Sequence, residues 1–467
     1  MLRNAFVISL IVLTLSSASI FAQPTPPMQP KLATIELPSP VVLPAPSGVS
    51  SDVPNRPLTG DEAVLIALHH QPSIAGAAGA LTAAQGSTQQ ARSGLLPSLT
   101  AGTGYLNVTS SPNGLAANGV PGSSGTGYQT SASIRQLIFD FNHTRDLVLQ
   151  QASLEKSANA NLTRAESDLM LQVKQAFYNY VQDVRLVVVN EQNLRNAQSH
   201  EELAAARLNT GLGLPSDVVR AQTAVADAIL NLNLAQNAAS VGRVNLAQLM
   251  GIDPRTPVQV AETDELSVSA NNVDELVAQG LWQRPDVVAA QQIVQAGKYA
   301  VTVAKTSNAP AIAANLSWIE RGTSIDADQS FVEVGVALQF TPFDSGLTAG
   351  RVKQARGNLQ TAQSLLDSTR LQVISDVSQA YLNLKTAEQR VVTANAEVSN
   401  AEENERLAQG RYKSGLGTFL DILDAQTALV TANSNRINAQ SAVNQARAAL
   451  QHAIGAPVPT TVDQPNK

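Results

Sequence analysis

Two hydrophobic periods alternate along the chain. From Val373 to Ala401 the apolar residues recur in steps of four and three: Val373, Val377, Ala380, Leu384, Ala387, Val391, Ala394, Val398 and Ala401. Val352, Leu359 and Leu366 carry the seven-residue spacing further back. That is a coiled-coil seam, and alanine at about half its positions lets two backbones approach closely. An earlier stretch keeps the seam less cleanly. Leu169, Val173, Ala176, Tyr180, Val187 and Leu194 fit it, while Asp183 and Asn190 intrude. No proline or glycine interrupts residues 143–210 or 358–409. A helix from about 142 to 210 is roughly 100 Å long at its usual rise, a length suited to a tube or a stalk.

Four shorter segments alternate with the period of a strand. Val332, Val334, Val336, Leu338 and Phe340 interleave with Glu333, Gly335, Ala337, Gln339 and Thr341. Ile312, Ala314, Leu316 and Trp318 interleave with Ala313, Asn315 and Ser317. Tyr128, Thr130, Ala132, Ile134 and Ile138 oppose Gln129, Ser131, Ser133 and Arg135. Leu99 to Val108 is weaker and rich in glycine. Length and alternation fit transmembrane barrel strands with lipid outside and water inside, and also fit a solvated hairpin packed on a helix. Four strands cannot close a barrel, so copies must pool them: four each make eight from two chains and twelve from three. Only the larger barrel leaves a water-filled lumen.

The organisation is an internal duplication. Arg207-Leu-Asn-Thr-Gly-Leu-Gly213 returns as Arg411-Tyr-Lys-Ser-Gly-Leu-Gly417, and Asp217-Val-Val-Arg-Ala-Gln-Thr223 as Asp421-Ile-Leu-Asp-Ala-Gln-Thr427. Phe139-Asp140 pairs with Phe343-Asp344, and Gly251 with Gly455, all 204 residues apart. Upstream the offset is 213, as in Asp61-Glu62 with Asp274-Glu275 and Pro72 with Pro285, so the first repeat carries a longer loop between Pro97 and Phe139. Each repeat predicts a helix of about 35 residues, two strands, a very long helix, a glycine-rich turn and a further helix. The first repeat spans 58–255, with strands about 98–108 and 127–139 and helices about 142–210 and 216–250. The second spans 271–455, with strands about 310–320 and 331–342 and helices about 347–413 and 419–454. Residues 456–467 read as a disordered tail.

The N-terminus changes the compartment. Arg3 precedes an apolar run from Ala5 to Leu15 and small residues with cleavage points after Ala18 or Ala22, a secretory signal over 1–22. Residues 23–57 hold ten prolines and read as an extended, disordered leader. No other stretch is long and apolar enough for a membrane helix, so membrane residence requires a barrel.

Composition removes several function classes. The chain has 467 residues, no cysteine, charged residues at only 15% and a net charge of −6. This argues against thiolate zinc, iron–sulfur clusters and thiol catalysis, and against a nucleic-acid partner. His69, His70, His143, His200 and His452 form no spaced metal or base cluster, and no nucleophile elbow appears, so no enzyme, cofactor or metal site is expected. Methionine at only positions 1, 28, 170 and 250 weighs against a soft-metal cargo.

These residues resemble the TolC-type outer-membrane efflux protein family from Leu58 to Gly455. The carriers are Leu58…Glu62-Ala63…Ala67…Pro72 with Leu96-Pro97, the Phe139-Asp140 and Phe343-Asp344 pairs, the two glycine-rich turns and Asp421-Ile-Leu-Asp-Ala425. The resemblance implies a mainly α fold with a β-barrel part. It implies a homotrimer with a twelve-strand barrel in outer-membrane lipid and a twelve-helix periplasmic tunnel. It also implies an exit duct for a periplasmic adaptor and an inner-membrane transporter. Tips Gly211-Leu212-Gly213 and Gly415-Leu416-Gly417 are implied to dock the adaptor. Asp217, Tyr412, Asp421 and Asp424 are implied to form the periplasmic gate.

Elementary chemistry gives the same residues plainer roles. The glycines supply turn dihedrals, and Asp421 is a first-turn acid behind an N-cap at Thr418. The chain departs from the family at Gly417, where members with a characterised gate can carry arginine, and in lacking an N-terminal lipoprotein cysteine. A protein-secretion duct and a soluble exported coiled-coil scaffold are the alternative functions.

Overall fold

A computed structural model describes residues 56–108, 125–261, 272–322 and 329–458. The expected signal peptide, most of the expected leader and most of the expected C-terminal tail lie outside the described residues. The first repeat contributes α1 (Gly60–His70), α2 (Pro72–Ser93), β1 (Ser98–Val108), β2 (Gly125–Phe139), α3 (His143–Asn209) and α4 (Pro215–Leu249). The second contributes α5 (Val273–Gln283), α6 (Pro285–Lys305), β3 (Ala311–Gly322), β4 (Gln329–Gln339), α7 (Leu347–Lys413) and α8 (Phe419–Ala453) in the same order. The fold is therefore mainly α with one small sheet.

One expectation fails in both repeats at equivalent places. The first helix is not continuous over about 35 residues. It breaks into α1 and α2 at Pro72, and into α5 and α6 at Pro285. The proline ring crowds the backbone of the residue before it, and Gln71 and Arg284 are accordingly extended, at ψ 120° and 128°. Each proline then opens the next helix, where its missing N–H costs nothing.

The seam is visible in burial. Val373, Val377, Ala380, Leu384, Ala387, Ala394, Val398 and Ala401 are buried, and Val391 packs partly buried beside them. In α3, Leu169, Val173 and Tyr180 are buried, whereas Ala176 is only partly so. There α1 lays Ala63, Val64 and Ala67 against Val173 and Phe177, so the core shifts from a narrow seam to a wider face. α4 packs on α3, α3 on α8 and α8 on α7, so these helices form a row ending at α4 and α7.

Both long helices begin at the same strand-to-helix turn. Phe141 and Asn142 have φ of 55° and 64°, and their counterparts Ser345 and Gly346 have 53° and 88°. Asp140 accepts from the backbone N–H of Thr144 at 2.7 Å, and Asp344 from that of Thr348 at 2.7 Å. The repeated Phe-Asp pair is therefore a helix-starting device: the carboxylate takes a first-turn N–H that the helix leaves unpaired.

The strands form one antiparallel sheet in the order β1-β2-β3-β4. Its register lines up chemistry across all four strands. Leu99, Ile134, Leu316 and Val334 stand in one row, and Ser98, Arg135, Asn315 and Gly335 in the next. Thr100, Ser133, Ser317 and Glu333 form a further polar row. The apolar row is not covered within the chain: Leu99 is 71% and Val334 78% exposed. Among the described residues, β1 and β4 each keep one edge without a partner strand. No helix among them is long and apolar enough to cross a membrane.

Candidate gate and docking tips

The far ends of α3 and α7 reverse through matching turns. Gly211 and Gly415 take φ of 75° and 79°, the left-handed conformation that ends a helix without Cβ strain. Leu212 and Gly213 then both donate to the Arg207 carbonyl at 2.9 Å. Leu416 and Gly417 donate to the Arg411 carbonyl at 2.8 and 3.1 Å. Gly213 and Gly417 are required by closeness: a Cβ would sit 2.7 Å from the Leu208 nitrogen at one and 2.9 Å from the Arg411 Cβ at the other. A side chain there demands a wider turn. Between the glycines, Leu212 and Leu416 stand 73% and 83% exposed.

The two tips differ at the start of the following helix, and one residue causes it. Thr418 caps α8: its hydroxyl accepts from the Asp421 N–H at 3.3 Å, and the Asp421 carboxylate accepts from the Thr418 N–H at 2.8 Å. The counterpart of Thr418 is Leu214, which has no cap to offer, and Pro215 follows it. Asp217 is thereby released from capping and accepts from the Tyr412 hydroxyl at 3.4 Å. Tyr412 is buried, with its ring 5.6 Å from that of Phe419. Burial, and then the Asp217 carboxylate, hold its phenol above the ordinary value.

Arg207 brings the two tips together. Its guanidinium lies 4.5 Å over the Tyr412 ring and donates to the carbonyls of Tyr412 and Lys413 at the end of α7, and to that of Leu212 at 3.4 Å. The sequence flags Arg207 only as part of a repeat, because its partners are mostly backbone carbonyls that leave no mark in a residue pattern. His200 is also revealed by the structure. It is buried two turns above the tip with Nε2 3.9 Å from a Glu405 carboxylate oxygen. Burial first, and then Lys413, press its pKa downward.

Of the four residues singled out for a gate, Asp217 and Tyr412 are in contact. Asp421 and Asp424 stand exposed on α8. The Asp421 carboxylate is committed to the cap, whereas Asp424 has no partner in the chain among the described residues. The arrangement offers acids, an aromatic ring and a guanidinium at a helix-hairpin end.

This architecture and these tips match a known family. The model for outer membrane efflux proteins matches residues 64–252 and 276–456. The chain belongs to the outer membrane efflux protein family, which places it in the outer membrane and makes it an export channel. Among curated proteins it is 25% identical to the outer membrane efflux protein BepC of Brucella suis, over 71% of this chain and 73% of that one. It is 24% identical to TolC of Escherichia coli K12, over 79% and 80%. Among solved structures, VceC of Vibrio cholerae superposes with a TM-score of 0.75 at 21% identity, covering 86% of this chain and 97% of that one. The Campylobacter jejuni CmeC channel gives 0.75 at 17% identity, covering 86% and 87%.

The cap at Asp421 has a pH signature. Its carboxylate is held below its ordinary value near 3.8, first by the Thr418 backbone N–H, then by the Thr418 hydroxyl and by Arg411. A depressed carboxylate pKa stabilises the fold fully above the ordinary value, and this is lost as pH falls through the lower folded value. Asp421→Asn should therefore speed amide exchange in the first turn of α8 at neutral pH and leave it unchanged in strong acid. Hydrogen-exchange mass spectrometry reads this directly. Equal exchange at pH 7 means that the turn does not depend on the carboxylate.

Proposed function

We propose that three copies of the chain pool their strands into a twelve-strand barrel and their helices into a periplasmic tunnel. This assembly serves as the exit duct of a tripartite pump, taking cargo from an adaptor and an inner-membrane transporter. The observation that carries this reading is the four-stranded sheet, with an uncovered apolar row on one face, polar rows on the other, and two open edges. Hydrocarbon tolerates the apolar row and forbids the open edges, so neighbouring copies must close them. The role is passage of solute without catalysis. Small molecules are the favoured cargo: relatives are named for toluene efflux, antibiotic efflux and pyoverdine export.

The barrel reading is tested by charge on opposite faces of one strand. Val334→Arg places a cation in the apolar row and should cost about 2–4 kcal/mol if the site lies at mid-bilayer. Gly335→Arg, in the polar row, should be tolerated better. Heat-resistant trimer in outer-membrane fractions is the measurement, and equal loss for both variants refutes the strand assignment.

The docking role belongs to Leu212 and Leu416, the apolar residues at the two tips. Leu212→Asp and Leu416→Asp should abolish efflux, read as drug susceptibility of the host cell, while a stable trimer remains in the membrane. Loss of the trimer would assign the turns to folding instead.

For the gate, the threefold axis brings three copies of Asp217, Tyr412, Asp421 and Asp424 near one constriction. Carboxylates crowded in this way attract cations. Because Asp421 is occupied by the cap, Asp424→Asn should lower cation selectivity in planar bilayers the most. Unchanged selectivity and unchanged block by multivalent cations would place Asp424 away from the pore.

A further inference from the structure

Arg207 and Arg411 hold the same position in the two repeats, 204 residues apart, yet their surroundings differ. The Arg207 guanidinium grips the carbonyls of Tyr412 and Lys413, the last residues of α7. A cation there adds a second donor to the Tyr412 carbonyl, which already accepts from the Gly415 N–H at 3.0 Å, and answers the negative end of the helix dipole. Arg411 is exposed, and its guanidinium donates no hydrogen bond within the chain among the described residues. The counterparts of Tyr412 and Lys413 are Leu208 and Asn209, at the end of α3; the Leu208 carbonyl likewise accepts from the Gly211 N–H at 3.0 Å, and among the described residues no side chain of this protomer donates to either carbonyl. One repeat thus has a clasp and the other has the two halves of one, apart.

Apolar residues repeat the asymmetry. Leu203 on α3 and Leu423 on α8 pack into the cluster that joins the two hairpins near their tips. Their counterparts are Leu407 on α7 and Val219 on α4, which stand 43% and 62% exposed. α7 and α4 are the two ends of the helix row. Setting α7 of one copy against α4 of another recreates the α3–α8 junction, with Leu407 facing Val219 and Arg411 facing the end of the neighbour's α3. A head-to-tail contact of this kind closes into a ring when the rotation allows it.

We propose that the partner on this surface is a second copy of the chain, and that Arg411 clasps the carbonyls of Leu208 and Asn209 of the neighbouring protomer. This rests on the trimeric reading above and adds to it a specific intersubunit bond. Every junction in the ring of tips then carries one arginine clasp, Arg207 within each chain and Arg411 between chains.

The absence of cysteine makes the test clean. The double variant Asn209→Cys/Arg411→Cys, treated with a short bismaleimide in the membrane, should give covalent dimers and trimers, and neither single variant should. Asn209→Cys/Arg207→Cys serves as the within-chain comparison and should give no ladder. Native mass spectrometry of each variant reports the oligomer independently. A trimer without a ladder in the double variant overturns the Arg411 clasp and leaves the trimer standing. Absence of any trimer in the unmodified protein overturns the trimeric reading itself, and the clasp with it. In planar bilayers, Arg411→Gln should raise the resting conductance several-fold, and an unchanged conductance refutes a holding role for the clasp.

Discussion

A helix of 67 residues cannot be stabilised by its own hydrogen bonds, which replace bonds to water at little net gain; most of its stability must come from packing one face. In α7 that face is the line from Val373 to Ala401, and much else depends on it. The seam holds α7 against α8 and fixes which of their other faces remain open. It also carries the tip far from the sheet, so that one chain presents its strands at one end and a small glycine-rich turn at the other. Alanine at half the seam positions brings the helices close, and the price is a core too thin to be a globular one.

The regular parts of this architecture were legible because repetition reports them. A three-four spacing over many turns, strand alternation over ten residues and matched motifs at fixed offsets are each hard to obtain by chance. The break at Pro72 and Pro285 was not read, although proline is the commonest helix breaker. Both prolines fall where a new helix can start, so the apolar pattern continues across the break and conceals it. Val391 and Ala176 show the limit of the seam itself: the period assigns them inward, but neighbours cover them only in part.

The tip was only half legible, for a physical reason. The glycines and acids stand out as residue types. Whether an acid caps its own helix or meets another depends on the residue three places before it, as Thr418 and Leu214 show. Asp421 therefore carries two readings at once. Its cap is observed, and its charge still stands exposed beside Asp424. Arg207 lay beyond pattern altogether, since it works on carbonyl groups about 205 positions away.

Duplication also explains why the two repeats have diverged where they have. In the proposed ring, a row of four helices closed by copies of itself has two kinds of junction, one inside the chain and one between chains. Residues in the first kind answer to a partner in the same chain, and those in the second to a partner on another. Tyr412 is an aromatic platform for Arg207, while its counterpart is Leu208. With leucine rather than threonine at position 214, Asp217 caps nothing and faces that platform. The junction inside the chain carries an aromatic–acid–guanidinium set, and the corresponding residues of the other are Leu208, Asp421 and Arg411. In the proposed ring, the junction between chains can part while this set, and with it each protomer, stays intact.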